Sequence, residues 1–248
     1  MKSKMFSLGE MGKYAIVSSK GSTVISYIVD NTVVIFPQTV IGSKPRGGIP
    51  ICFPFFGHAK PKFAGEIPQH GWLRDQEFNL HKEKENSFIL RSFMNSRVKE
   101  TYPWAFIYDV EISISPKGDL VFELRATRLD DGIDELAPVN PAFHPYFCNL
   151  GRKAVIINGE AWIAENGPAK IVPAAEEILI DMGAAQVKMS LAGDFDEKSC
   201  VALWTDNAEK YFCVEPVLTR PEDFDALGGE FLEPGQMLKL YCSLSVFL

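Results

Sequence analysis

The stretch Tyr108-Asp109-Val110-Glu111-Ile112-Ser113-Ile114-Ser115-Pro116-Lys117-Gly118-Asp119-Leu120-Val121-Phe122-Glu123-Leu124-Arg125-Ala126-Thr127 decides the fold class. Tyr108, Val110, Ile112 and Ile114 alternate with Asp109, Glu111, Ser113 and Ser115; Leu120, Phe122, Leu124 and Ala126 alternate with Val121, Glu123, Arg125 and Thr127. In an extended chain successive side chains point to opposite faces, so each half lays its apolar set on one side. Pro116-Lys117-Gly118-Asp119 between the halves has turn chemistry, which predicts an antiparallel hairpin.

The same period recurs at the C-terminus, where Leu238, Leu240, Cys242, Leu244, Val246 and Leu248 alternate with Lys239, Tyr241, Ser243 and Ser245. Further strands are predicted over Tyr14–Ser18, Ser22–Val29, Thr32–Phe36, Phe88–Phe93, Val155–Ile157, Val187–Leu191, Val201–Thr205 and Tyr211–Val214. Only Pro221 to Leu227 suggests a short helical turn. Frequent short strands of this kind predict an all-β sandwich or barrel. With no linker, repeat or low-complexity tract, residues 1–248 read as one domain.

A net charge of −7 excludes a general phosphate-backbone binder, which needs a basic face, so nucleic acid is not an expected partner. The longest apolar stretch, Ile49 to Phe56, is interrupted by Pro50 and Pro54, so no membrane role is expected. Met1-Lys2-Ser3-Lys4-Met5 lacks the apolar run of a signal peptide, and a cytoplasmic location is expected. Cys52, Cys148, Cys200, Cys213 and Cys242 form no CxxC pair, which predicts buried thiols rather than disulfides or a zinc site.

Three irregular, aromatic-bearing segments carry the candidate chemistry: Gly42–Gly57, Ile67–Arg74 and Asn140–Asn149. In the first, Arg46 offers a planar fork for an anion, and Gly47 and Gly48 can turn backbone N–H groups toward it. In the second, Gln69, His70, Trp72 and Arg74 combine hydrogen-bonding groups with an aromatic face, a combination suited to sugars. His58, in a basic loop with Lys60 and Lys62, and His81 read as surface residues. In the third, His144 precedes Pro145, just as Glu215 precedes Pro216 in Cys213-Val214-Glu215-Pro216. A proline restricts its predecessor to extended backbone, so both side chains are expected to be held stiffly, as an acid and a base must be.

Four segments in order, Arg46-Gly47-Gly48-Ile49-Pro50 with Phe53-Pro54 and Phe56-Gly57, His70-Gly71-Trp72 with Arg74, Phe143-His144-Pro145-Tyr146-Phe147, and Val214-Glu215-Pro216, resemble the aldose 1-epimerase, or galactose mutarotase-like, superfamily. The likeness is greatest to its hexose-6-phosphate 1-epimerase branch, and Glu233-Pro234-Gly235 matches the family's closing motif. The resemblance implies a large antiparallel β-sandwich of the supersandwich type, with a sugar or sugar phosphate bound in a groove on one sheet. It implies that His144 is the general acid at the ring oxygen and Glu215 the general base at the anomeric hydroxyl. It further implies that His70 hydrogen-bonds the sugar, with the amide of Gln69 beside it. Arg46 and Arg74 would hold the anionic group of a phosphorylated substrate, and no metal or organic cofactor is required.

Opening a hemiacetal needs a base and an acid on different edges of the sugar, which agrees with these roles. The sequence departs from the family over Asn158–Gly183, where no acidic residue can be assigned to the sugar hydroxyls; Glu165 and Asp181 are the available stand-ins. Bland alternatives are a Glu215–Arg220 ion pair and a core imidazole at His144. A non-catalytic carbohydrate-binding module is the principal competing function. A lyase or glycoside hydrolase is disfavoured, because no second carboxylate pairs with Glu215.

Overall fold

The structure, a computed structural model, describes residues 3–10, 12–58, 67–94, 100, 102–221 and 230–248. Two large antiparallel sheets face each other. One runs, edge to edge, through Met5–Glu10, Lys13–Ser18, Thr23–Val29, Thr32–Ile35, Tyr146–Cys148, Tyr211–Val217, Ala142–Phe143 and Ile51–Cys52, with Cys200–Trp204 also on Tyr211–Val217 and Lys170–Pro173 beyond it. The other runs through Glu160–Ile163, Gly151–Ile157, Glu177–Gly183, Gln186–Gly193, Met237–Phe247, Leu120–Arg128, Phe106–Ile114, Ser87–Met94 and Asn79–Lys84. Small ribbons pair Thr39–Ile41 with Lys44–Arg46 and Ala137–Val139 with Glu230–Leu232.

The alternation that predicts the central hairpin governs its packing. Phe106–Ile114 and Leu120–Arg128 bury every second residue, and Ile112 pairs with Phe122 while Val110 pairs with Leu124. The turn closes as predicted, with Ser115 N–H donating to the Asp119 carbonyl and Gly118 N–H to the Ser115 carbonyl. Burial of these apolar faces between two sheets is the main favourable contribution to such a sandwich. Aromatic contacts cross the gap: Phe53 meets Phe106 and Tyr108 edge-on, and Phe122 meets Phe143 edge-on at 4.8 Å.

Two sequence expectations shift. The C-terminal strand keeps its period through Leu244, but Val246 is only partly buried and Leu248 is 60% exposed, because the strand outruns the sheet that covers it. The strand expected over Tyr211–Val214 continues to Val217, since neighbouring Cys200–Trp204 aligns Val201 with Pro216 despite the missing N–H. Beyond Pro221, the short turn expected to Leu227 lies outside the described residues. All five cysteines are buried, and none forms a disulfide. Among the described residues no helix is long and apolar enough to cross a membrane.

Phe143 immediately precedes His144, so the edge-on contact from Phe122 also seats the functional segment. Phe122→Ala should destabilise the protein by about 3–5 kcal/mol, read as a lower urea midpoint. A loss below about 1 kcal/mol would mean that the two sheets do not depend on this contact.

Candidate functional site

The site forms on the outer face of the first sheet, where its ladder lapses. Tyr146 pairs with Cys213 and Ala142 with Val217, so residues 143–145 lie against 214–216 without regular pairing. Pro145 and Pro216 sit in that gap and can donate no backbone hydrogen bond. His144 is anchored instead by its N–H to the Pro50 carbonyl at 2.9 Å. Along Tyr211–Val217, Phe212 and Val214 enter the core, which turns Tyr211, Cys213 and Glu215 to the opposite face. His144 Nε2 and Glu215 Oε2 consequently lie 3.3 Å apart. The candidate acid and base are thus immediate neighbours. Glu215 has His144, and not Arg220, as its charged partner among the described residues.

Both groups are buried, at 5% and 2% exposure. Burial pushes the Glu215 carboxyl well above its ordinary range. Burial, together with the charges of His70 and Arg74, pushes His144 well below its own. The empty site therefore favours a neutral pair in which a single proton is shared. His144 Nδ1 has no hydrogen-bond partner among the described residues. Tyr146 stacks on the imidazole at 4.8 Å, and His70 meets it edge-on at 5.2 Å.

His70 is presented by an unusual backbone. Its φ is 65°, Gly71 follows at 71°, and a Cβ on Gly71 would strike the Phe53 carbonyl. The N–H of Gly57 donates to His70 Nδ1 at 3.2 Å, and the Cys52 thiol lies 3.5 Å from the same atom. Nδ1 thus accepts, and the neutral ring carries its proton on Nε2. Burial, then the charges of Arg74, His58 and Arg46, lower His70 from 6.5 to about 4.

These residues line a cleft of about 700 Å³ whose walls are Lys44, Pro45, Arg46, Phe56, Gly57, His58, Gln69, His70, Arg74, His144, Tyr146, Pro168, Ala169, Trp204 and Glu215. That volume suits a small-molecule site. All six candidate residues, Arg46, Gln69, His70, Arg74, His144 and Glu215, meet there. The backbone carbonyl of Gln69 accepts from Arg74 Nη2 at 2.7 Å, orienting that guanidinium.

Several expectations are overturned. Gly48 N–H does not serve an anion, because it donates to the Phe36 carbonyl at 2.8 Å, and a Cβ there would press on the Val24 carbonyl. Trp72 is not the cleft's aromatic face; it is a core residue meeting Tyr102 edge-on. Trp204 and Phe56 take that place, beside the motif residue Tyr146. His58, read as a surface residue, is exposed but also lines the cleft. Asp181 is engaged by Arg152 and the Gly183 N–H, and neither it nor Glu165 lines the cleft. Asp206, which sequence patterning did not single out, grips Arg46.

Cys213 adds a thiol to the pair, and one donor atom from each of His144, Cys213 and Glu215 lies within 4.8 Å of the others. These are donor types that zinc accepts, but only after the thiol loses its proton. Burial and the Glu215 charge push the Cys213 thiol well upward.

The aldose 1-epimerase family model matches residues 5–180, a span that contains His144 and ends before Glu215. Among solved structures, the chain is similar to a galactose mutarotase related enzyme from Lactobacillus acidophilus, with 15% identity, a TM-score of 0.78, and coverage of 99% of this chain and 98% of that one. A galactose mutarotase-like protein from Lactobacillus casei matches at 15% identity and TM-score 0.77, covering 98% and 100%. A galactose 1-epimerase from Lactobacillus acidophilus matches at 14% identity and TM-score 0.75, covering 100% and 95%. At such identities the likeness concerns the fold. No curated protein matches the chain in sequence.

The depressed His70 value fixes a sign. As pH falls through 6.5 the unfolded chain takes up the proton first, so stability is full above 6.5 and declines toward about 4. The loss should reach at most about 3 kcal/mol, and urea midpoints at pH 7 and 4.5 should differ less in His70→Gln than in wild type. Equal losses in both proteins would remove His70 as the cause.

Proposed function

We propose that this protein, which belongs to the aldose 1-epimerase family, interconverts the α and β anomers of a hexose by acid–base ring opening, with a hexose 6-phosphate preferred. The observation that carries this reading is the His144–Glu215 contact of 3.3 Å on the floor of the cleft. In a pyranose the anomeric hydroxyl and the ring oxygen are bonded to the same carbon, so the base and acid that serve them must be close neighbours.

Glu215, as carboxylate, takes the anomeric hydroxyl proton. The bond between C1 and the ring oxygen breaks as the C1 carbonyl forms, and His144, as imidazolium, gives its proton to the ring oxygen. This leaves a protonated Glu215 and a neutral His144, the form that burial favours in the empty cleft. Rotation about C1–C2 presents the other carbonyl face, and reclosure returns each proton to its source. The pair holds one proton at the start and end of the cycle, so no cofactor is consumed. His70 offers its Nε2–H to a sugar oxygen, while Trp204 and Tyr146 supply aromatic surface for the C–H faces.

The preference for an anion rests on the charges around the cleft. Lys44, Arg46 and Arg74 line it, Glu215 is its only carboxylic acid among the described residues, and the whole chain carries −7. Arg74 has no closer carboxylate, among the described residues, than Asp75 at 4.0 Å, which leaves its fork available to a phosphate.

His144→Ala and Glu215→Gln should each slow anomer exchange by about 10²- to 10⁴-fold, measured by exchange spectroscopy on free and 6-phosphorylated hexoses. Wild-type rates in either variant would remove the assigned roles, and binding without any rate enhancement in the wild type would favour the carbohydrate-binding module. Arg74→Ala should raise KM for the 6-phosphate by about tenfold or more and change KM for the free hexose far less. Equal increases would reduce Arg74 to a support for its loop.

A further inference from the structure

We propose that Asp206 sets the charge selectivity of the cleft by holding Arg46 in an internal ion pair, so that Arg46 meets the substrate as a hydroxyl-directed donor while Arg74 alone of the two arginines reads an anionic substituent. The word substrate rests on the sugar-epimerase reading; the charge argument depends only on the cleft.

The pair is tightly built. Arg46 Nη2 donates to Asp206 Oδ2 at 2.6 Å, and Nε reaches Oδ2 at 3.0 Å and Oδ1 at 3.3 Å. Nη1 donates to the Pro45 carbonyl at 3.0 Å, and the guanidinium lies 5.3 Å from the centre of the Trp204 ring. Tyr211 O–H donates to Asp206 Oδ1 from the adjoining strand. The turn carrying Asp206 is itself pinned, since Thr205 Oγ1 donates to the Tyr211 carbonyl at 2.8 Å and accepts from Asn207 N–H at 3.0 Å. With only 14% of its side chain exposed, Arg46 has little room to swing away.

A carboxylate fixed at contact distance occupies the guanidinium edge that a phosphate would otherwise take in bidentate fashion. An entering anion must displace that carboxylate or accept the N–H groups that remain. Two guanidinium hydrogens, one on each terminal nitrogen, stay unassigned, enough to donate to neutral hydroxyls. Arg74 is held differently, by a carbonyl at 2.7 Å and a carboxylate no nearer than 4.0 Å, so its charge is less closely compensated than that of Arg46. The two arginines, equivalent in the sequence, thus differ in the fold.

The test is Asp206→Asn, which keeps the shape and a hydrogen-bonding oxygen for Arg46 but removes the charge. Inorganic phosphate is the probe, titrated calorimetrically into wild type, Asp206→Asn, Arg74→Ala and the double variant, with thermal unfolding confirming that each is folded. Asp206→Asn should tighten phosphate binding by about tenfold and steepen its salt dependence, a gain that free-hexose binding does not share. Arg74→Ala should abolish phosphate binding in the wild-type background and leave it measurable in the Asp206→Asn background, where Arg46 is released. Unchanged phosphate affinity in Asp206→Asn, or no binding in any of the four proteins, would overturn the proposal. A parallel loss of phosphate and free hexose would overturn it too, by making Asp206 a direct sugar ligand. Because phosphate binding is read without turnover, absence of anomer exchange would sink the epimerase reading and leave this one standing.

Discussion

The contact between His144 and Glu215 exists because two proline-interrupted segments, distant in sequence, run side by side in the interior of one sheet. The register that joins Ala142 to Val217 and Tyr146 to Cys213 sets His144 opposite Glu215, and opposed residues of an antiparallel pair project to the same face. Pro145 and Pro216 can donate no backbone hydrogen bond and leave a gap in the bonding between those pairs, over which both side chains meet on the outer face. The surrounding structure supports that gap. Val217 and Ala142 close it on one side, Tyr146 and Cys213 on the other, and Cys200–Trp204 backs it with Ala202 opposite Glu215.

Electrostatics then shape what the gap can do. A buried carboxyl and a buried imidazole both resist charge, so in isolation they share one proton as neutral partners. The arginines and His70 around them make a second positive charge on His144 still more costly, and His70 pays the same penalty itself. Protonation changes in the cleft are therefore coupled, and a ligand that brings negative charge or hydrogen-bonding oxygens relieves the strain on His144. The Arg46–Asp206 pair limits that positive field. Burial alone would lower the Arg46 value, but the hydrogen bonds and charge of Asp206 hold it above the ordinary one. Burial likewise opposes ionisation of Asp206, and Arg46 and Tyr211 outweigh it.

Legibility in the sequence followed periodicity and proline placement. The Tyr108–Thr127 hairpin and the strand through Leu238, Leu240, Cys242 and Leu244 are plain because a period of two survives any tertiary detail. The residues of the candidate site are plain because their prolines and glycines impose backbone shapes that ordinary strands avoid. Trp72 and Trp204 are the contrary case. Trp72 sits in a polar, motif-like segment and is buried in the core, whereas Trp204 lies in an ordinary apolar strand and faces the cleft. Local composition says that an indole is present but not which side of the sheet it faces. Gly48 is similar, since its positive φ serves a close approach to the Val24 carbonyl rather than an anion.

Taken by itself, the chain determined its β architecture, its central hairpin and the six candidate residues that meet in the cleft, because alternation and backbone restriction act over a few neighbouring residues. Tertiary structure alone decided that His144 touches Glu215, that Cys213 joins them, and that Asp206 rather than a ligand occupies the fork of Arg46. Those pairings depend on strand register and on which face each side chain takes, and register is set by the packing of two whole sheets.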